Sequence, residues 1–490
     1  MPVDGSETSA ACRAGRPAEE HQAPAPPVAR PMLRPDGPSL TEGSIPREIV
    51  RIAMPTWGAF VSHDLLGIVD MFFVGKLGAP AVAAVSMSGL MFGIIMMLTQ
   101  GVAGGTMALV ANAMGTGDRD HATAVVAQSL SMVAVLSVIV AALGIPLADS
   151  MLRLLGASET VVELGAGYLR IVAGGSATMM LMIVFGASLR AAGDARTPFL
   201  AMVLGNVVNI VLDPILIFGW LGVPELGVPG SAWATLVGRT VALAVMIRVF
   251  FGGEHEHFRL RVQDLRPHPR QMAPIASIGL FASGRMLMQN FGSLLLMRLV
   301  AGYGTLAVAA FGICMRLQMV VFGPSMGFGT AAAALVGQNV GAQRPQRAAR
   351  SAWIAVGLAA AVVLCFSLAF CFGGRVLVGL FNDDPAVRDL GAGLLRWLSF
   401  SFVLLSVSFV LGNAMTGGGD TVLPMVIVGV AVILFTVPTA YWLSAKWDSV
   451  HGVWAALAGG NVLSGLLAVV AFRLGRWQRI GERIRRRRLA

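Results

Sequence analysis

Cysteine is scarce in this chain: four residues in 490 (Cys12, Cys314, Cys365 and Cys371), with no Cys-x-x-Cys spacing. That leaves no framework for a disulfide-stapled fold or a structural zinc site. Charge is thin as well. Only 13% of residues are charged and 56% are hydrophobic, against about 25% charged in soluble domains. Lysine occurs twice, at Lys76 and Lys446, so arginine carries nearly all the positive charge. The chain also lacks a GxxxxGK[ST] phosphate loop and an HExxH helix, which removes P-loop nucleotide hydrolysis and zinc-protease chemistry. What is abundant is apolar sequence, with a mean hydropathy of +0.74. A soluble chain of this length has no way to bury so much apolar surface and still clothe itself in polar groups. The composition describes a polytopic membrane protein, and neither of these motifs is present to mark it as an enzyme.

Residues 1–45 hold no long apolar run and are rich in proline and charge. They read as a disordered cytoplasmic tail without the apolar core of a signal peptide. From Ile45 onward, apolar stretches long enough to cross the hydrocarbon as helix recur. Twelve are expected: six at 47–75, 84–113, 122–145, 163–190, 197–221 and 229–251, and six at 272–299, 308–338, 348–372, 388–415, 421–444 and 451–474. The polar stretch between the sets gives lobes at 46–252 and 271–474, a cytoplasmic linker at 253–270 and a basic tail at 475–490. The Glu254-His255-Glu256-His257 run reads as a solvated loop, since nothing nearby completes a metal site. Loops on the side of the amino terminus carry eleven arginines against six basic residues on the other side, and the terminal stretch from Arg473 onward adds eight. By the positive-inside rule both termini are cytoplasmic. The terminal arginine run serves as a topology anchor or acidic-lipid contact, and without an aromatic stacking pattern it makes no case for nucleic acid.

A fixed offset relates the halves. Adding 226 carries Ala81-Val82-Ala83-Ala84 onto Ala307-Val308-Ala309-Ala310, Leu164-Gly165-Ala166-Gly167 onto Leu390-Gly391-Ala392-Gly393, and Gly193-Asp194 onto Gly419-Asp420. Gly115, Arg170 and Pro198 likewise land on Gly341, Arg396 and Pro424. The offset contains six spans, an even number. The halves therefore keep one orientation and form parallel repeats about an axis along the membrane normal. Such an architecture places a cavity between two six-helix bundles and suits alternating access.

Three carboxylates fall well inside the spans: Asp64, Asp70 and Asp213. Their repeat partners are Asn290, Leu296 and Thr439, so only the first lobe is acidic. Ionisable groups in the bilayer are costly and mark function by default. His63 and Asp70 are seven apart and share a stripe, while Asp64 projects elsewhere. Asn206, Asn209 and Asp213 stand at i, i+3 and i+7 of the fifth span. A carboxylate kept from water resists ionisation, so it takes a proton from an acidic side and yields it when its surroundings change. Asp70 and Asp213 within one lobe would hold protons or Na+, with Asn209 as a neutral oxygen donor. For His63 and Asp64, a place at the cavity mouth is the plainer reading. Pro55 removes a backbone hydrogen bond from the first span and marks a hinge. Arg239, Arg285, Arg316 and Arg396 read first as snorkelling or paired side chains. The sharper alternative gives the second lobe an anion preference through Arg285 and Arg316.

VDMFFVGKLG in the first span, NIVLDPILIFG in the fifth and VGQNVGA at 336–342, set in two parallel halves, resemble the multidrug and toxic compound extrusion (MATE) family over residues 46–474. The resemblance implies an all-α membrane protein of twelve transmembrane helices in two six-helix bundles forming a V. It also implies export of cationic amphiphilic drugs in exchange for H+ or Na+. By motif, Asp70 matches the family's first-helix aspartate, and Asp213 with Asn209 matches the fifth-helix site of the proton-coupled prokaryotic (DinF-like) branch. Ser231 and Tyr168 match a sixth-helix hydroxyl and a fourth-helix tyrosine; with Asn206 and His63 they complete the candidate ion or substrate site. Na+ would sit at Asp70, Asn209 and Asp213. Met71 stands where the family more often has threonine.

The expectation is therefore a cation-coupled antiporter of the bacterial inner membrane. It needs no cofactor, works as a monomer in the lipid bilayer and expels small amphiphilic or cationic compounds by alternating access. The alternative is a lipid-linked precursor flippase of a related superfamily, which calls for a cationic central cavity. Arg285 and Arg316 are its only support.

Overall fold

A computed structural model describes residues 40–252, 258 and 260–481. Of the expected amino-terminal tail only 40–45 falls within these residues, and of the basic tail only 475–481; the Glu254-His255-Glu256-His257 run lies outside. A chain in hydrocarbon must satisfy its backbone within each segment, and helix does so. Accordingly, the described residues form helices and no strand. The first lobe comprises α1 (Ile45–Gly75), α2 (Ala79–Thr116), α3 (Arg119–Leu154), α4 (Glu159–Gly174), α5 (Ser176–Ala192), α6 (Arg196–Phe218) and α7 (Val228–Phe251). The second comprises α8 (Pro269–Ala301), α9 (Thr305–Gly341), α10 (Pro345–Gly379), α11 (Pro385–Gly417), α12 (Val422–Val428), α13 (Val437–Trp447) and α14 (His451–Arg473). A π-helix, Gly429–Thr436, joins α12 to α13.

Each lobe has six spanning units. Ten are single stretches long and apolar enough to cross a membrane, and α4 with α5, bent by 45°, makes an eleventh. The remaining unit, α8, has the length at 33 residues but carries Arg270, Arg285 and Arg298 and falls short in apolarity. Several helices outrun their expected limits. α3 continues through Pro146 to Leu154 instead of stopping at 145, because one missing hydrogen bond is tolerated where neighbouring helices hold the segment. The string Gly323-Pro324-Ser325-Met326-Gly327 has the spacing of a hydrolase nucleophile elbow. It lies inside continuous α9, and Ser325 donates to Ser406 Oγ at 2.8 Å.

The repeat is visible in the backbone. Gly193 and its counterpart Gly419 both sit at positive φ (+101° and +92°), where a side chain would be strained. The residue after each caps the next helix: Asp194 Oδ1 accepts from the Arg196 and Thr197 amides, and Asp420 Oδ1 accepts from Leu423. At the lobe boundary α2 and α9 cross through a second repeat pair. A methyl on Gly115 would collide with the Gln338 carbonyl, and one on Gly341 with the Asn112 carbonyl. Asn112 and Gln338 are themselves 226 apart, so the crossing is reciprocal.

The apolar core divides unevenly. One cluster spans both lobes across the inner end, where the chain enters α1, joining Ile49, Ile52 and Ala111 to Phe328, Leu335 and Leu411, and within the first lobe it continues outward to Leu152 and Val162. At the outer end the clusters are separate: Val74, Val85, Ile217 and Val228 in the first lobe, and Leu296, Phe311, Phe402 and Trp454 in the second. The lobes thus meet at the inner end and part toward the outer end, as the arms of a V.

Short connecting segments brace the closed end. Leu40 is buried against Gly193 of the first lobe, while its carbonyl accepts from Asn339 Nδ2 of the second at 3.2 Å. The next carbonyls, of Thr41, Glu42 and Gly43, accept from Arg344 and Arg347. On the linker, Gln128 of α3 bonds the backbone of Asp264, Arg266 and His268.

Candidate functional site

The polar residues of the first lobe converge because two helices pack closely. α6 and α7 run antiparallel with Gly205 against Gly238: a Cβ on Gly205 would lie 2.6 Å from the Gly238 carbonyl oxygen. Small residues of this kind let helix backbones approach in a membrane. Polar faces of both helices then meet in register. Asn209 Nδ2 of α6 donates to Thr235 Oγ1 of α7 at 3.1 Å.

Asp70 lies near the outer end of α1 and accepts from Ser231 Oγ of α7 at 2.5 Å. Asp213, Asn209 and Ser231 are buried, whereas Asp70 and Tyr168 are half-buried. Asp70 and Asp213 stand within electrostatic reach of each other, and Tyr168 of α4 interacts with both. Tyr168 packs into the outer cluster of Val74, Val85 and Ile217. Four helices therefore contribute to one polar group.

Other candidates sit around it. Asn206 turns to α1, donating to Ser62 Oγ at 2.8 Å and the Ser62 carbonyl at 3.1 Å. His63 stacks on Phe92 of α2, with ring centroids 6.2 Å apart. Pro55 is remote from the carboxylates. It lies inside unbroken α1 between Ala53 and Trp57, which pack against Gly327 and Gly323 of α9. Asp64 is exposed. Among the described residues no three His, Cys, Asp or Glu side chains gather as a metal site.

Sequence reasoning underrated Arg239. Its guanidinium lies over Phe92, with Cζ 5.4 Å from the ring centroid, and interacts with Asp70, Tyr168 and His63. The signal was present: Ser231, Thr235 and Arg239 recur at i, i+4 and i+8, one stripe of an otherwise apolar helix. Thr235 was missed in the same way. Two carboxylates, a phenol, hydroxyls, amides and one resident cation can hold a proton or a small cation, and they respond to any motion that changes their spacing.

Comparison with known proteins bears on this arrangement. A family model described as MatE matches residues 55–215 and again 282–442, so the family unit occurs twice, its starts 227 residues apart. The chain is 27% identical over 440 residues to the "Probable multidrug resistance protein NorM" of Thermotoga maritima, covering 89% of this chain and 94% of that one. It is 27% identical over 438 residues to the "FAD transporter" of Shewanella oneidensis, covering 88% and 95%. A solved structure described as the "Outward-facing conformation of a multidrug resistance MATE family transporter of the MOP superfamily" superposes with a TM-score of 0.83 at 26% identity, over 90% of this chain and 98% of that one.

Proposed function

The chain belongs to the MatE family of multi-pass membrane transporters, and we propose that it is a cation-coupled antiporter exporting amphiphilic compounds by alternating access. The observation that carries this reading is the Asp70–Ser231 bond beside buried Asp213 in the first lobe alone. In this scheme Asp70 and Asp213 exchange a coupling ion with substrate: H+ first, with Na+ at Asp70, Asn209 and Asp213 as the alternative. Protonation weakens the attraction of the pair for Arg239 and for a cationic ligand, so ion and substrate exclude each other. That mutual exclusion is the thermodynamic requirement for exchange. Motion of α1 about Pro55 would change the spacing of Asp70 from Ser231.

The proposal sets both termini in the cytoplasm, consistent with the arginine bias. The V then opens away from the cytoplasm. Lobes 46–252 and 271–474 rock about the inner core, and a single chain suffices. Drug export is the reading favoured by the name of the Thermotoga relative. The flippase alternative has less support, because the first lobe keeps carboxylates where a pyrophosphate carrier wants cations.

Dye efflux from everted vesicles under an imposed pH gradient tests the scheme. Asp70→Asn and Asp213→Asn should each abolish gradient-dependent efflux. Wild-type efflux in both variants would defeat it.

A further inference from the structure

The second lobe holds a cation with no acid beside it. Arg285 projects from α8 toward α11, where its Cζ lies 5.1 Å from the Phe409 ring centroid. Phe409 meets Phe322 of α9 edge-on at 4.5 Å, making an aromatic wall. Gly412, three residues beyond Phe409, leaves room for the charge: a Cβ there would lie 3.0 Å from Arg285 Nη1. Every described acidic residue of this lobe, Asp383, Asp384, Asp389, Asp420 and Asp448, lies at a helix end or in a loop. Among the described residues Arg285 is party to no hydrogen bond or ion pair, and the residue is half-buried.

A guanidinium carries five N–H donors in a planar fork suited to a carboxylate or another oxyanion. Holding that charge among membrane helices is costly unless an anion answers it. Arg239 shows the contrast. It too lies over a phenylalanine, but Asp70 stands within its reach.

We propose that Arg285 is an anion-binding subsite of the transport chamber, taking the carboxylate of an amphiphile whose apolar body rests on Phe409 and Phe322. The subsite deepens the transporter reading and rests on it for the route into the chamber, but its test requires no transport. The competing role is structural. In the first lobe the repeat-equivalent niche, Gly186 and Pro198, holds Arg190 from the same helix, so a guanidinium there could be mere filler.

A matched dye pair separates the roles: a rhodamine with a free carboxylate, and its methyl ester. Both are titrated by fluorescence polarisation against the full chain in lipid nanodiscs. Arg285→Gln should weaken the free acid about tenfold, as for loss of a charge-assisted hydrogen bond. It should change the ester less than about twofold, and Arg285→Lys should fall between wild type and Arg285→Gln for the acid. Equal weakening of both dyes, no change in either, or failure of the free acid to bind wild type overturns the subsite. Vesicles that show no gradient-driven efflux, while this binding pattern holds, would remove the antiporter reading and leave the subsite standing.

Discussion

Asp64 of α1 and Arg316 of α9 occupy corresponding stripes of two antiparallel helices, two turns beyond the packing of Trp57 on Gly323. Ala53 packs on Gly327 and Trp57 on Gly323; seven residues further along each helix come Asp64 and Arg316, both exposed. Seven residues return a helix to nearly the same face, so closure of the outer end would bring opposite charges together. Reversing either charge alone should slow dye efflux several-fold, and the double reversal Asp64→Arg with Arg316→Asp should restore it. The expected coupling is about 1 kcal/mol, typical of a partly exposed pair. A double variant no better than the worse single one would reject the pairing.

The Asn112–Gln338 crossing makes a stability prediction. Gly115→Ala or Gly341→Ala forces a methyl into a backbone carbonyl of the opposite lobe. Each should cost about 1–3 kcal/mol, the usual penalty for overpacking, seen as a lower midpoint of thermal unfolding in detergent. Gly89→Ala, where nothing lies within 4 Å, should leave the midpoint unchanged.

Ser231→Ala deprives Asp70 of its hydroxyl donor while removing one atom. A lost hydrogen bond to a charged group is worth about 1.5 kcal/mol, so gradient-driven efflux should fall roughly tenfold with folding intact. Ser231→Thr, which keeps a hydroxyl, should retain most of it. Full activity in the alanine variant would show that the bond is incidental.

Leu40 ties the lobes together at the closed end. Leu40→Ala removes packing worth about 2 kcal/mol or more without touching the polar group. Spin labels at exposed Asp120 and Gln346 should report a longer and broader distance distribution in the variant. An unchanged distribution would mean that the strap follows closure and does not favour it.

Much of this was legible in the sequence because the bilayer restricts the choices. Apolar runs had to be helices, and the 226-residue offset required two halves of one orientation. Asp70 and Asp213 stood out because charge in hydrocarbon needs a reason. The rest depended on contacts between distant segments. At the bend between α4 and α5, Leu236 of α7 packs where a side chain on Gly175 would be, with Cδ1 2.5 Å from a Cβ built there. The π-helix between α12 and α13 has Thr436 Oγ1 bonded to the Ala431 carbonyl, five residues back, and no periodicity forecasts that. Arg239 reads from the sequence as a snorkelling or paired side chain, but its partners, Asp70 and Phe92, lie on helices far away in sequence, so the pairing has no local signature.

The division of the apolar core, shared at one end and separate at the other, has a mechanical corollary. A V-shaped body takes up more area in the leaflet where its arms spread. If the arms rock as proposed, crowding of lipid tails in that leaflet would squeeze them together and crowding in the opposite leaflet would drive them apart. Acyl-chain composition would then bias the resting posture with no ligand bound.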